Sequence, residues 1–153
     1  MAAREKVSEL VKRLSETARQ VSKSNIPGLP EDYKYLFEDG NESIQNVKKR
    51  LEEKPLDISA VHQYLEIAVL TVDKLINTTT EMVENVMLAE KVIQYGNRYR
   101  SKYPSIAKGL NEAERAFRCY DYRGALEQAA ASIEEIDPGA LKKIETILSS
   151  ENE

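Results

Sequence analysis

Cysteine is almost missing from the 153-residue sequence, where Cys119 stands alone. That excludes a disulfide framework and a thiolate zinc site, and it points to a reducing compartment. Tryptophan is absent and phenylalanine occurs twice, so any core must be mainly aliphatic. Five prolines and six glycines are too few for collagen-like or low-complexity classes. No run approaches the ~20 apolar residues that span a bilayer. Residues 1–13 carry a charge every two or three positions and lack the apolar core of a signal peptide, so the chain reads as soluble. What is present suffices for a folded core: 41% hydrophobic and 31% charged residues with a net charge of −4. The length favours about one domain.

Hydrophobic periodicity predicts an all-α fold. Val7, Leu10, Leu14, Thr17 and Val21 keep a 3-4 spacing, so residues 3–23 read as an amphipathic helix. SNIPGLP at 24–30 breaks it. Pro30 suits a first helical position, with Glu31 and Asp32 complementing the helix dipole. The second helix should run to about Glu53 with Tyr33, Phe37, Ile44, Val47 and Leu51 on its seam, and Gly40 marks a place where it can kink. Asp57 then caps a third helix. Its seam reads Ile58, Val61, Leu65, Ala68, Val72, Leu75, Thr79, Met82, Val86, Ala89, Ile93 and Gly96. Ten of these twelve are aliphatic, and a heptad kept this long means a coiled-coil-like helix. Val69, Ile76 and Val83 widen the stripe enough to touch two neighbours, as in a three-helix bundle. About 45 residues at 1.5 Å each give roughly 68 Å, so the molecule should be elongated.

Shorter helices follow. Pro104 opens one with Ile106, Leu110, Ala113, Phe117 and Tyr120 inward. Asp121 caps the next, with Tyr122, Leu126, Ala129, Ile133 and Ile136. Asp137-Pro138-Gly139 reads as an N-cap followed by proline at the first helical position, and Leu141, Ile144 and Leu148 line the last helix. The polar run at 77–80 weakens the long helix locally, and SSENE at 149–153 should fray.

No catalytic or metal constellation assembles from these residues. His62, the one histidine, lies beside the seam and reads as structural. A di-metal carboxylate bundle needs Glu-x-x-His pairs, and Ser59 stands three residues before His62. Cys119 reads as a small buried residue rather than an activated thiol. The two matches to the glycosylation acceptor pattern, at Asn41 and Asn77, lack a secretory context. No cofactor is expected.

Charge is distributed in blocks. Residues 57–90 hold six acids and one base, net −5; residues 91–123 hold eight bases and three acids, net +5; residues 124–153 return to −5. On the heptad register Lys91, Gln94, Tyr95, Arg98 and Lys102 form one stripe facing away from the seam. Tyrosine and arginine anchor partner surfaces, although a solvated face whose bases suit the helix C-terminus explains the same pattern. Acids flank the stretch and no phenylalanine is interleaved, so nucleic acid is not the expected partner.

KVIQYGNRYR at 91–100, with Tyr103 and Pro104, resembles the C-terminal region of the EzrA family of septation ring regulators. LNEAERAF at 110–117, Asp121-Tyr122, ALEQAA at 125–130 and Pro138-Gly139-Ala140 extend the resemblance over about residues 88–148. For residues 1–87 only the helical heptad character agrees. The resemblance implies spectrin-like triple-helical repeats, here an elongated antiparallel bundle around one long helix at about 57–102. Residues 1–103 would form the repeat or repeats, 104–149 short helices on the bundle end, and 150–153 a frayed tail. It further implies a non-enzymatic, membrane-anchored regulator on the cytoplasmic side of the division septum. That protein restrains assembly of the tubulin-like protein FtsZ and contacts other division proteins. The family's N-terminal membrane span has no counterpart here, so the chain reads as a C-terminal fragment that makes no membrane contact itself. By resemblance the septum-localisation patch falls on Gln94, Tyr95, Gly96, Asn97, Arg98, Tyr99 and Arg100, flanked by Lys91 and Lys102. The alternative is an adaptor unrelated to division, coiled-coil or tetratricopeptide-like. Ala113, Phe117, Asp121, Tyr122, Ala125 and Pro138 resemble one such hairpin, but stable arrays need about three.

Overall fold

A computed structural model describes residues 2–151. Among them six α-helices and one 3₁₀ turn follow in order, with no strand: α1 (Ala2–Lys23), α2 (Glu31–Glu52), α3 (Ile58–Gly96), the turn Asn97–Tyr99, α4 (Pro104–Arg118), α5 (Tyr122–Glu134) and α6 (Ala140–Glu151). The chain divides into two compact units, one up to Glu81 and one from Met82. Helix α3 supplies its first part to the former and its last part to the latter.

The first unit is an up-down-up bundle. Tyr33 meets Thr79 and Arg50 meets Tyr64, so α2 runs antiparallel to α3. Residues 4–11 of α1 lie beside 48–52 of α2, so those two are antiparallel as well. The expected seams meet in one aliphatic core: Val7 and Leu10 from α1, Ile44, Val47 and Leu51 from α2, and Val61, Leu65, Ala68 and Val72 from α3. Leu75 is also fully buried, whereas Ile58, expected on the seam, is 63% exposed because it sits at the helix start. Asp57 caps α3 as expected, accepting from the Ala60 N–H at 3.1 Å. Helix α2 does not break at Gly40, which is buried with the side chains of Leu75 and Leu14 over it. The polar run at 77–80 does not break α3 either. Thr79 donates to the Leu75 carbonyl at 2.7 Å, which leaves its oxygen to accept the Tyr33 hydroxyl at 2.6 Å. Both groups are therefore satisfied inside the core.

In the second unit α4 returns along the end of α3, and α5 returns along α4. Small residues permit the close α4–α5 approach: a Cβ on Gly109 would lie 1.8 Å from the Ser132 Oγ. Val92, Ile106, Leu110, Ala113, Ala129, Ile133, Ala140 and Ile144 form the core. Val92 rather than Ile93 is the fully buried residue near the end of α3, in keeping with the ~20° per heptad drift of a straight α-helix. Asp121 caps α5 through the Gly124 N–H at 3.0 Å.

Three expectations are corrected in this unit. Tyr120 does not point into the core; it is 41% exposed with φ +66°, in the left-handed position that closes α4. The Asp121 N–H bonds the Ala116 carbonyl at 2.9 Å across that closure, as in a Schellman ending. Cys119, expected to be buried, is exposed at the α4 C-cap. Finally, α6 starts at Ala140 rather than Pro138. Gly139 turns the chain at φ +85°, and Glu134 supplies the acceptor, taking the N–H groups of Gly139 at 2.8 Å and Leu141 at 3.0 Å. Asp137 is thereby released for another role. Helix α6 runs to Glu151, and of the tail expected to fray residues 152 and 153 lie outside the described residues.

Candidate functional site

The segment 91–102 spans the last two turns or so of α3, which ends at Gly96, the 3₁₀ turn and the loop to α4. Its residues face two ways. Gln94, Asn97, Arg98 and Lys102 are exposed, and Lys91 is half-exposed. Gly96 is buried: a Cβ there would stand 2.9 Å from Ile133 and 3.0 Å from Leu110. Gly96 therefore permits close packing of α4 and α5 side chains.

Tyr95 does not share the outward stripe expected for it. Its ring is half-buried against the core of the second unit, and its hydroxyl donates to Asp137 Oδ2. Tyr99 sends its hydroxyl to the same oxygen at 3.3 Å. The Tyr95, Tyr99 and Tyr103 rings follow one another at 6.1 and 6.2 Å between centroids. Lys143 completes the cluster, its Nζ 3.3 Å from Asp137 Oδ1. Arg100 is also engaged within the unit, through an ion pair with Glu114 of α4.

These contacts shift the local ionisation. The Tyr95 hydroxyl is pushed up to about 12, because ionising it would lose its bond to the Asp137 carboxylate and set two negative charges together. Asp137 is held below the usual carboxylate range, first by the Tyr95 hydroxyl and also by Lys143. Glu134 is lowered by the backbone N–H groups of Leu141 and Gly139. All three shifts favour the bonded charge states, with Tyr95 neutral and the two carboxylates ionised at neutral pH.

Arg98 stands on this cluster. Its guanidinium carbon lies 4.2 Å from the centre of the Tyr95 ring, a cation–π stack. On the other flank Gln94 borders a shallow groove with Glu90, Ile93, Glu114, Phe117 and Arg118. The segment thus pairs a polar exposed face of Gln94, Asn97 and Arg98 with an internal face of Tyr95, Gly96, Tyr99 and Arg100. Asp137 and Glu134 were not singled out by the sequence, because the Asp-Pro-Gly pattern reads as a helix cap. His62 is exposed. Among the described residues no cluster of three or more histidine, cysteine or acidic side chains could hold a metal ion. No helix among them is long and apolar enough to cross a membrane.

Comparison with known proteins covers nearly all of the chain. Residues 1–148 match the family described as "Septation ring formation regulator, EzrA". The septation ring formation regulator EzrA of Geobacillus sp. (strain WCH70) is 52% identical over 151 residues, covering 99% of this chain and 27% of the relative. The protein of the same name from Bacillus subtilis (strain 168) is 40% identical over 139 residues, covering 91% and 25%. That from Listeria monocytogenes serotype 4a (strain HCC23) is 40% identical over 151 residues, covering 98% and 26%. The chain spans about a quarter of the length of the curated relatives it matches. No solved structure matches. The similarity reaches through residues 1–87, where the motifs alone gave only heptad character.

Proposed function

The chain belongs to the EzrA family of septation ring formation regulators, and on that premise we propose that it contributes a partner-binding face to a non-enzymatic regulator restraining FtsZ ring assembly. The face consists of Gln94, Asn97 and Arg98, with Lys91 and Lys102 at its margins. One observation carries this reading. Those three side chains are left in solvent, whereas Tyr95, Gly96, Tyr99 and Arg100 of the same segment are committed to internal packing, hydrogen bonds or an ion pair. Arginine brings five donors in a fixed fork suited to carboxylates, and its stack on Tyr95 reduces the ordering cost of binding. Other division proteins are candidate partners for the same face. The working location is the cytoplasmic side of the membrane at the septum.

The test combines polymer sedimentation with purified FtsZ and imaging of septal recruitment, comparing wild type with Gln94→Ala/Arg98→Glu. Loss of both activities with unchanged helicity supports the reading; unchanged recruitment and sedimentation refute it. Among the described residues α4 and α5 form one hairpin with no second repeat of that kind beside it, and stable tetratricopeptide arrays need about three, which favours the regulator over the adaptor.

A further inference from the structure

The exposed face has a hidden support. The last carbonyls of a helix have no intrahelical partner, and here the 3₁₀ turn itself supplies partners: the Asn97 carbonyl accepts from the Arg100 N–H at 3.3 Å, and the Tyr99 carbonyl from the N–H groups of Lys102 and Tyr103 at 3.1 Å. Arg98 lies within that turn. A long exposed side chain there would sample many rotamers, and binding would have to order it. The Tyr95 ring under the guanidinium, at 4.2 Å, restricts it. The ring is in turn fixed at its far end, where its hydroxyl meets Asp137 Oδ2.

Asp137 is itself held on every side. Its backbone N–H bonds the Ile133 carbonyl at 2.8 Å. Lys143 meets its second oxygen at 3.3 Å and Tyr99 reaches the first at 3.3 Å. The turn that carries it is pinned by Glu134 through the N–H groups of Gly139 and Leu141. A continuous path of contacts therefore runs from the α5–α6 turn through Asp137 and Tyr95 to Arg98. Charge-assisted bonds such as the Tyr95–Asp137 contact are the stronger and more directional kind.

We propose that Asp137 is a positioning residue for partner recognition: through Tyr95 it fixes the outward orientation of Arg98, so the α5–α6 turn sets the affinity of the 94–100 face. This rests on the reading above that Arg98 touches a division partner. Asp137 makes no contact with the partner itself. Its effect appears in how Arg98 is presented.

Two readouts test it together. The Nε–Hε resonance of Arg98, followed by NMR, is displaced upfield by the Tyr95 ring current while the stack persists. Recruitment of the fluorescently tagged protein to the division site reports recognition. Asp137→Ala should move the Arg98 signal downfield toward the position of a free arginine and reduce recruitment at least threefold. Asp137→Asn keeps an acceptor oxygen for the Tyr95 hydroxyl and should restore most of both. Tyr95→Phe keeps the buried ring but loses the anchoring hydroxyl. It should shift the signal less, in the same direction, with about a twofold loss of recruitment, and it carries the test if Asp137→Ala does not fold. An Arg98 signal that stays in place in Asp137→Ala and Tyr95→Phe overturns the proposal. So does a signal that moves while recruitment stays at the wild-type level and Arg98→Glu abolishes it. If Arg98→Glu leaves recruitment intact although Asp137→Ala moves the signal, the clamp exists but the reading of Arg98 as a contact is wrong, and the proposal falls with it.

Discussion

Helix α3 is packed in two different ways along its length. In the first unit it lies among large aliphatic side chains from α1 and α2, and the space over Gly40 would take a methyl group in ordinary contact, with Leu75 at 3.6 Å and Leu14 at 3.7 Å. In the second unit the helices approach more closely. A methyl group on Gly96 would press on Ile133 and Leu110, and one on Gly109 would overlap Ser132. The two regions also place their polar groups differently. The first buries a neutral pair, Tyr33 with Thr79, and keeps charged contacts such as Arg13 with Asp73 and Arg50 with Tyr64 separate, whereas the second gathers Tyr95, Tyr99, Asp137 and Lys143 into one cluster at its edge. A glycine on an apolar seam thus has no fixed meaning: it is dispensable where the partner is a long side chain at ordinary distance and required where another helix is close.

The largest effects should come from the cores, and they should be alike in both units. Leu75→Ala and Ile133→Ala each remove a fully buried side chain and should cost about 2–5 kcal/mol in urea unfolding. Glu66→Ala, on the exposed face of α3, should change stability by less than about 0.5 kcal/mol. A similar midpoint shift for Leu75→Ala and Glu66→Ala would refute the assigned register.

The glycines then separate the units. Gly109→Ala should destabilise by about 1–3 kcal/mol, the usual cost of overpacking. Gly40→Ala should stabilise by about 0.5–1 kcal/mol, since alanine is the better helix former and nothing obstructs it. The same sign for both in thermal melts would erase the contrast.

A smaller effect follows from ionisation. Asp137 and Glu134 titrate below their ordinary values of 3.8 and 4.5 in the folded chain. Their contribution is therefore present above those values and is lost as pH falls through the lowered ones. Tyr95 has the opposite sign. Its hydroxyl is raised from 10.0 to about 12, so stability should fall as pH rises through that window. Asp137→Asn should flatten the acid limb of a stability-versus-pH curve, and Tyr95→Phe the alkaline limb. Unchanged curves in both variants would show that the cluster does not contribute.

Much of this was legible in the sequence where one helix sufficed to determine it. The heptad from Val61 to Ala89, the caps at Asp57 and Asp121 and the proline start at Pro104 depend on local spacing, and the helices follow them. Tyr95 was misread because a helical wheel gives the angle of a residue but not which flank a later helix covers, and here the α5–α6 turn covers it. The Asp137-Pro138-Gly139 pattern misled for a related reason. Glu134, upstream of α6, took over the capping and left Asp137 free to reach Tyr95. The unbroken seam of α3 likewise contains no signal at the division between units near residue 81, because the helix runs through it without a break.

The central claim is that residues 94–100 combine an internal anchor with a free recognition face. The most direct measurement sets stability against septal recruitment for Gln94→Ala/Arg98→Glu and for Gly96→Ala. The account predicts that the double variant unfolds within about 0.5 kcal/mol of wild type yet loses recruitment. It predicts that Gly96→Ala, with Ile133 and Leu110 in its way, loses about 1–3 kcal/mol. A double variant that is still recruited normally, or a Gly96→Ala chain more stable than wild type, would contradict it.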